Sequence, residues 1–250
     1  MAEIKPQRYK DDRPPEEFVY LHEWARTHPP GWTYTLVRLI VTWIAVFAYR
    51  TRGLDTKNIP TSGPAILAAN HASNMDHFFA GVYTRRRLQF MAKSQLFHQN
   101  KVLDYIFRVG GVFPVRRGHH DEEAFITAKT ILARGGCVLM YPEGGRTRTG
   151  KLGEPRPGVG KLALETGVPV IPVAIHGSIG VRKWKKLRFP RITVQYGEPM
   201  TFDVVENPTR EQQLEAAEQI FEPVREMYNA LDAKRGGAPE PDPDAAREPV

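Results

Sequence analysis

The sequence predicts an α/β fold: a mixed, mostly parallel central sheet flanked by helices, preceded by an N-terminal membrane-associated helical segment. Three observations predict it. Between residues 65 and 196, short apolar runs of strand length alternate with stretches of helical spacing, as in repeated βα units. The runs are continuously apolar, which suits strands covered by helices on both faces. Ahead of them, residues 32–49 read WTYTLVRLIVTWIAVFAY, with Arg38 inside the stretch and Arg50 and Arg52 just after it.

Taken in order, residues 1–31 read as a polar arm with helix around 15–27. The stretch 32–52 is a helix at the lower limit for crossing a bilayer. A helix lying in or shallowly inserted into the interface is the leading reading, ahead of a true span or a soluble packing helix. Residues 55–63, with Pro60 and Gly63, form a connector. Strands follow at 65–69, 88–92, 112–115, 138–141, 170–176 and 192–196. Helices fall at 76–84, 94–109, 121–134, 159–166 and 209–233. Asp121 can cap the third of these and Gly135-Gly136 stop it. Thr209 and Gln212 fit a capping box on the last, with a bend expected at Pro223. Residues 236–250, rich in Pro, Gly and acid, are expected to be disordered. The chain thus divides into 1–52, 53–235 and 236–250.

Composition narrows the function. The net charge is +7 over 250 residues. That suits nucleic acid, anionic lipid or small anions. No nucleic-acid or P-loop signature is present, so anionic membrane surfaces and phosphate-bearing substrates are the better partners. The stretch 182–191, RKWKKLRFPR, interleaves charge with aromatic residues and suits the same partners. Residues 85–87, three arginines, read as a solvated basic loop. The single cysteine, Cys137, excludes an internal disulfide and reads as a buried structural residue. Neither His119-His120 nor His176 has metal-site spacing, and no metal is assigned.

The most informative stretch is residues 65–76, AILAANHASNMD. A buried strand delivers His71 to a turn, and Asp76 follows five residues later. Such a pair makes a general base: the imidazole takes a hydroxyl proton while the carboxylate fixes its tautomer. Ser73 stands too close along the turn to be a nucleophile, so direct attack by a substrate hydroxyl is the simpler scheme. Three further segments follow: GVFPVRR at 111–117, EGGRT at 143–147 and VPVIPV at 168–173.

In this order and spacing, the four blocks resemble the glycerolipid acyltransferase family, of the 1-acylglycerol-3-phosphate (lysophosphatidic acid) acyltransferase type. The resemblance extends over about residues 60–200 and makes 53–235 the acyltransferase domain. Two positions depart from the family pattern: Gly145, where Thr is common, and Arg116, where an acidic residue is common. The resemblance implies an enzyme moving a fatty acyl chain from acyl-CoA or acyl-carrier protein to the free hydroxyl of 1-acylglycerol-3-phosphate, giving phosphatidic acid. Glycerol-3-phosphate is the rival acceptor, and a non-catalytic basic membrane-binding protein is the reading from another class. His71 and Asp76 are then catalytic. Arg117 and Arg146 bind the phosphorylated acceptor, and Arg116 is ambiguous. Gly144 and Gly145 let backbone approach the ligand. Asn70 holds the turn or contacts substrate, and Glu143 fixes the loop or contacts glycerol hydroxyls. No cofactor beyond the acyl donor is implied. The expected location is peripheral or monotopic on the cytoplasmic face of the cell membrane, with the oligomeric state left open.

Overall fold

A computed structural model describes residues 11–116, 121–147, 150–181 and 189–235. Its centre is a seven-stranded sheet: β1 (Arg52–Leu54), β2 (Ala65–Ala69), β3 (Gln89–Lys93), β4 (Val112–Val115), β5 (Cys137–Met140), β6 (Val170–His176) and β7 (Thr193–Tyr196), in the order β1-β7-β6-β2-β5-β3-β4. Every neighbouring pair is parallel except β6 and β7. The carboxyl ends of β2, β3, β4, β5 and β6 therefore share one edge, where loops converge and α/β proteins bind ligands.

The helices are α1 (Val19–Thr27), α2 (Trp32–Phe47), α3 (Asp76–Val82), α4 (Lys101–Val109), α5 (Glu122–Ala133), α6 (Pro157–Thr166) and α7 (Arg210–Ala233). One face of the sheet packs against α2 and α3, through Ala45, Phe79 and Ala80 on Leu67, Leu139 and Val173. On the other face α1, α5, α6 and α7 bury Ala25, Ala128, Leu162 and Ile220 on Ile66, Val138 and Val170. All five residues of β2 are fully buried, as a strand covered on both sides must be. The α6–α7 contact is the tightest: a Cβ at Gly160 would sit 1.9 Å from the carbonyl oxygen of Gln213.

Three expectations need correction. Residues 11–31 are not a detached arm: Phe18, Leu21 and Ala25 are buried in the core. The helix expected over 94–109 is broken. A 3-10 turn spans Ser94–Leu96, His98 takes φ 64°, and the Asn100 side chain accepts from the amides of Val102 and Leu103 to start α4 afresh. In the basic loop Arg85 and Arg87 are exposed as expected, though Arg87 also donates to the carbonyl of Pro30 (2.6 Å), whereas half-buried Arg86 is a tie, donating to the carbonyls of Pro60 (3.3 Å) and Gly135 (2.8 Å). Strand β1 escaped sequence reading because it is a three-residue edge strand. Pro172 is tolerated inside β6 because the β7 pairing stops at Val173, beside it.

Helix α2 has two unlike faces. Arg38 turns to the protein, donating to the carbonyls of Thr84 and Arg86, so it does not reach outward as an interfacial anchor would. Outward stand Trp32, Leu39, Trp43 and Phe47, between 58% and 67% exposed. Among the described residues no single helix is long and apolar enough to cross a membrane; only the pair Pro15–Thr27 and Trp32–Phe47, bent by 83°, has the length and composition together. Residues 182–188 and 236–250, which carry the basic stretch and the expected tail, lie outside the described residues.

Candidate active site

The site grows from the carboxyl end of β2. Asn70, fully buried, clamps that end to β6: its side-chain oxygen accepts from the Ile175 amide (2.7 Å) and its NH2 donates to the Ile175 carbonyl (3.1 Å). His71 follows, with its ring 8–10% exposed. Asp76, the first residue of α3, accepts from His71 Nδ1 at 2.9 Å through Oδ2, which also accepts the amides of Ala72 and Ser73, both at 2.7 Å. Three donors on one oxygen hold the carboxylate in place, and a carboxylate at the start of a helix is favoured by the helix dipole. An ionised carboxylate only accepts, so Nδ1 carries the proton and Nε2 the lone pair. The Ser73 hydroxyl is engaged in the turn, accepting the Met75 amide at 3.2 Å.

The loop after β5 closes over this turn. Glu143 is buried, and each of its oxygens takes one amide: Oε1 that of His71 and Oε2 that of Gly153, both at 2.7 Å. Burial raises its carboxyl above the ordinary value, the two amides oppose that, and the Asp76 charge adds to it. In this position Glu143 fastens the loop to the turn. The His71 carbonyl in turn accepts the Thr147 amide at 2.8 Å. Gly144 takes φ +67°, and a Cβ there would lie 2.7 Å from Arg156 Cδ; a Cβ at Gly145 would meet nothing within 4 Å, so the departure from Thr at 145 is sterically free.

His71 and Arg146 line one cavity of about 470 Å³. It runs along β3 on the α2–α3 face of the sheet, from Lys93 and Tyr141 at the carboxyl edge to Leu88 and Val112 at the opposite edge. Its walls are Val37, Phe78, Val82, Phe90 and Phe107. A cavity with a His–Asp pair and cations at one end and apolar walls beyond suits a molecule with a polar end and a hydrocarbon tail. Arg116 is held at its backbone, donating its amide to Asp121 Oδ2 at 2.6 Å, while its Nε is buried with no partner among the described residues. Arg117 lies outside the described residues.

Sequence reading passed over Lys93, His77 and Tyr141. Lys93 ends β3 just as His71 follows β2, and a charged residue closing an apolar run was the available signal. His77 stacks on Phe90 with centroids 4.9 Å apart, and burial lowers its pKa to about 4, so it stands neutral in the cavity wall. Cys137 is buried, its thiol pushed up to about 11 by burial, in keeping with an inert structural residue. Among the described residues no cluster of His, Cys, Asp and Glu could hold a metal ion.

Known proteins resemble this chain in sequence and fold. A family model described as Acyltransferase matches residues 52–176. A probable 1-acyl-sn-glycerol-3-phosphate acyltransferase of Mycoplasma genitalium is 28% identical over 164 residues, 61% of this chain and 59% of that protein. The 1-acyl-sn-glycerol-3-phosphate acyltransferase of Bacillus subtilis is 28% identical over 181 residues, 71% of this chain and 88% of that one. A chloroplast protein of the same name from Brassica napus is 28% identical over 137 residues, and the match takes in 38% of its length. The chain thus spans between about a third and nine-tenths of the relatives it matches. The crystal structure of the lysophosphatidic acid acyltransferase PlsC from Thermotoga maritima superposes with a TM-score of 0.61 over 80% of this chain and 82% of that one; at 24% identity it speaks for the fold.

Proposed function

We propose a reaction for this chain, which belongs to the acyltransferase family: transfer of a fatty acyl group from a thioester, acyl-CoA or acyl-carrier protein, to the free hydroxyl of 1-acylglycerol-3-phosphate. The observation that carries it is the His71–Asp76 pair, 2.9 Å apart, at the mouth of an apolar cavity. His71 Nε2 takes the acceptor's hydroxyl proton as its oxygen attacks the thioester carbonyl. Asp76 keeps the tautomer and stabilises the imidazolium. The acyl tail lies along β3, and Arg146, with Arg117 from the sequence motif, takes the acceptor phosphate by a bidentate contact. The relatives' names favour a monoacylated acceptor over glycerol-3-phosphate.

The substrates are lipids, and we place the protein against the cytoplasmic face of the cell membrane. The exposed row Trp32, Leu39, Trp43 and Phe47 supports this, since an apolar helix face of this kind suits the headgroup boundary. Flotation with anionic vesicles tests it: replacing Trp43 and Phe47 by Ser leaves protein in the pellet fraction, and unchanged flotation would remove α2 as the contact.

The reaction is tested by thiol release from acyl-CoA with 1-acylglycerol-3-phosphate, glycerol-3-phosphate or no acceptor. Wild-type protein turns over fastest with the first. His71→Ala keeps its fold and loses roughly 10²- to 10⁴-fold in kcat. Retention of a tenth of wild-type activity by folded His71→Ala would sink the mechanism.

A further inference from the structure

Two groups hold the His71 ring, and the His–Asp motif accounts for one. Asp76 grips the ring edge through Nδ1. The ring face is covered by Tyr141, with centroids 3.9 Å apart and planes 16° from parallel. Tyr141 directly follows β5, the strand paired with β2, so the backbone that positions His71 also positions its cover. Its hydroxyl is buried and has no hydrogen-bond partner among the described residues. Buried tyrosines normally pair that group. The hydroxyl therefore does not explain where Tyr141 sits, whereas the stacked ring does.

Resting on the acyl-transfer reading, we propose that Tyr141 is a positioning residue for the base: its ring fixes the plane of the His71 imidazole and stabilises the imidazolium. A flat stack stops the imidazole from swinging out of the line that joins Nδ1 to Asp76. An aromatic face also attracts a cation and does little for a neutral ring. In the proposed reaction the imidazolium forms between two proton transfers. The acceptor oxygen bonds to the thioester carbonyl carbon while its proton passes to Nε2. The C–S bond then breaks, and the leaving sulfur takes that proton back. Tyr141 exchanges no atom; it favours the charged state that lies between the two transfers. It keeps its own proton throughout, since burial, and then the Asp76 charge, hold its pKa far above the ordinary value.

The test compares Tyr141→Phe with Tyr141→Leu, and with Tyr141→Met should the Leu protein not fold. Phe keeps the ring and holds kcat within about threefold of wild type, at equal thermal stability. Leu lowers kcat by about tenfold or more, with both KM values unchanged. It also moves the acid limb of the pH–rate profile to lower pH. A Leu protein with wild-type kcat and an unmoved acid limb overturns the proposal, as does a Phe protein as impaired as Leu. A second readout does not need turnover: an NMR titration of the His71 ring, whose pKa falls in the Leu protein. If wild-type protein transfers no acyl group, the reaction reading fails by itself. If turnover is normal but the titration is unmoved by Leu, only the stack fails.

Discussion

Two histidine–carboxylate pairs stand at the carboxyl ends of neighbouring strands, and they are built for different ends. His71, after β2, bonds Asp76 through Nδ1 and lines the cavity. His176, the last residue of β6, bonds Asp232 of α7 through Nε2 at 3.1 Å; its Nδ1 is buried without a partner among the described residues, and its ring lies 5.1 Å from that of Tyr228. The Tyr228 hydroxyl donates to the Gly150 carbonyl at 3.2 Å, so this second pair helps dock α7 under the loop that carries Arg146. The first pair lines a cavity and the second is packed in protein, and under the proposed reaction only the first is placed to serve as a base.

The sharpest way to break this comparison is to make the same substitution in both pairs. Asp76→Asn loses up to roughly 10⁴-fold in kcat, as loss of tautomer control does elsewhere, without a matching loss of stability. Asp232→Asn keeps kcat within about twofold and lowers Tm by about 2–4 °C, the scale of one lost hydrogen bond in a chain of this size. Equal kinetic losses would erase the distinction. Next in size, Arg146→Ala raises the acceptor KM by about tenfold or more while the thioester KM holds, and Lys restores part of it; equal shifts in both KM values would count against a phosphate contact.

A smaller effect sharpens the picture of the cavity beside His71. Gly81 of α3 lines it, and a Cβ there meets only ordinary contacts at 3.7 Å and 3.9 Å. Gly81→Leu places a side chain in the channel and lowers kcat/KM for long-chain thioesters by about tenfold, with short chains spared. Uniform loss across chain lengths would show that the tail lies elsewhere.

The smallest effect is on stability and reads two histidines outside the His71–Asp76 pair, His22 and His77. Burial lowers His22 and His77 to about 4 from 6.5. Folded, each stays neutral where the unfolded chain binds a proton. Their contribution is whole above pH 6.5 and is lost as pH falls toward about 4, on the order of 1 kcal/mol per pH unit for each. Glu143 runs the other way and offsets part of this, because its raised carboxyl takes up a proton in the folded state first. Urea midpoints at pH 7, 5.5 and 4.5 should therefore fall. A flat series would show that the histidines are not held neutral.

Much of the fold was legible because buried parallel strands write themselves as short apolar runs. The run at 65–69 and the caps at Asp121 and Thr209 stand where sequence places them: the Asp121 side chain accepts the Ala124 amide, and Thr209 and Gln212 form the reciprocal capping box. The His71–Asp76 contact was legible too, since both ends lie within one turn. The partners of Asn70 and Glu143 were not, because Ile175 and Gly153 reach them through tertiary folding that no local spacing records. The burial of Phe18 and Leu21 was hidden for a similar reason. Charged neighbours make 1–31 look polar, whereas one apolar stripe is enough to dock a helix.

The two faces of the sheet also differ in how firmly they are closed. The α5–α6–α7 face is solid, down to a glycine that admits no side chain. On the cavity face, α4 has no buried residue, and α2 buries only Thr33 and Ala45. Amide hydrogens in β2, β5 and β6 then exchange through global unfolding, and those of α2 and α4 through local opening. A wall that opens locally spares a long hydrocarbon from threading end-first past the mouth. In the proposed reaction, the acyl chain is admitted sideways as the helices part, while the strands that hold His71 stay shut.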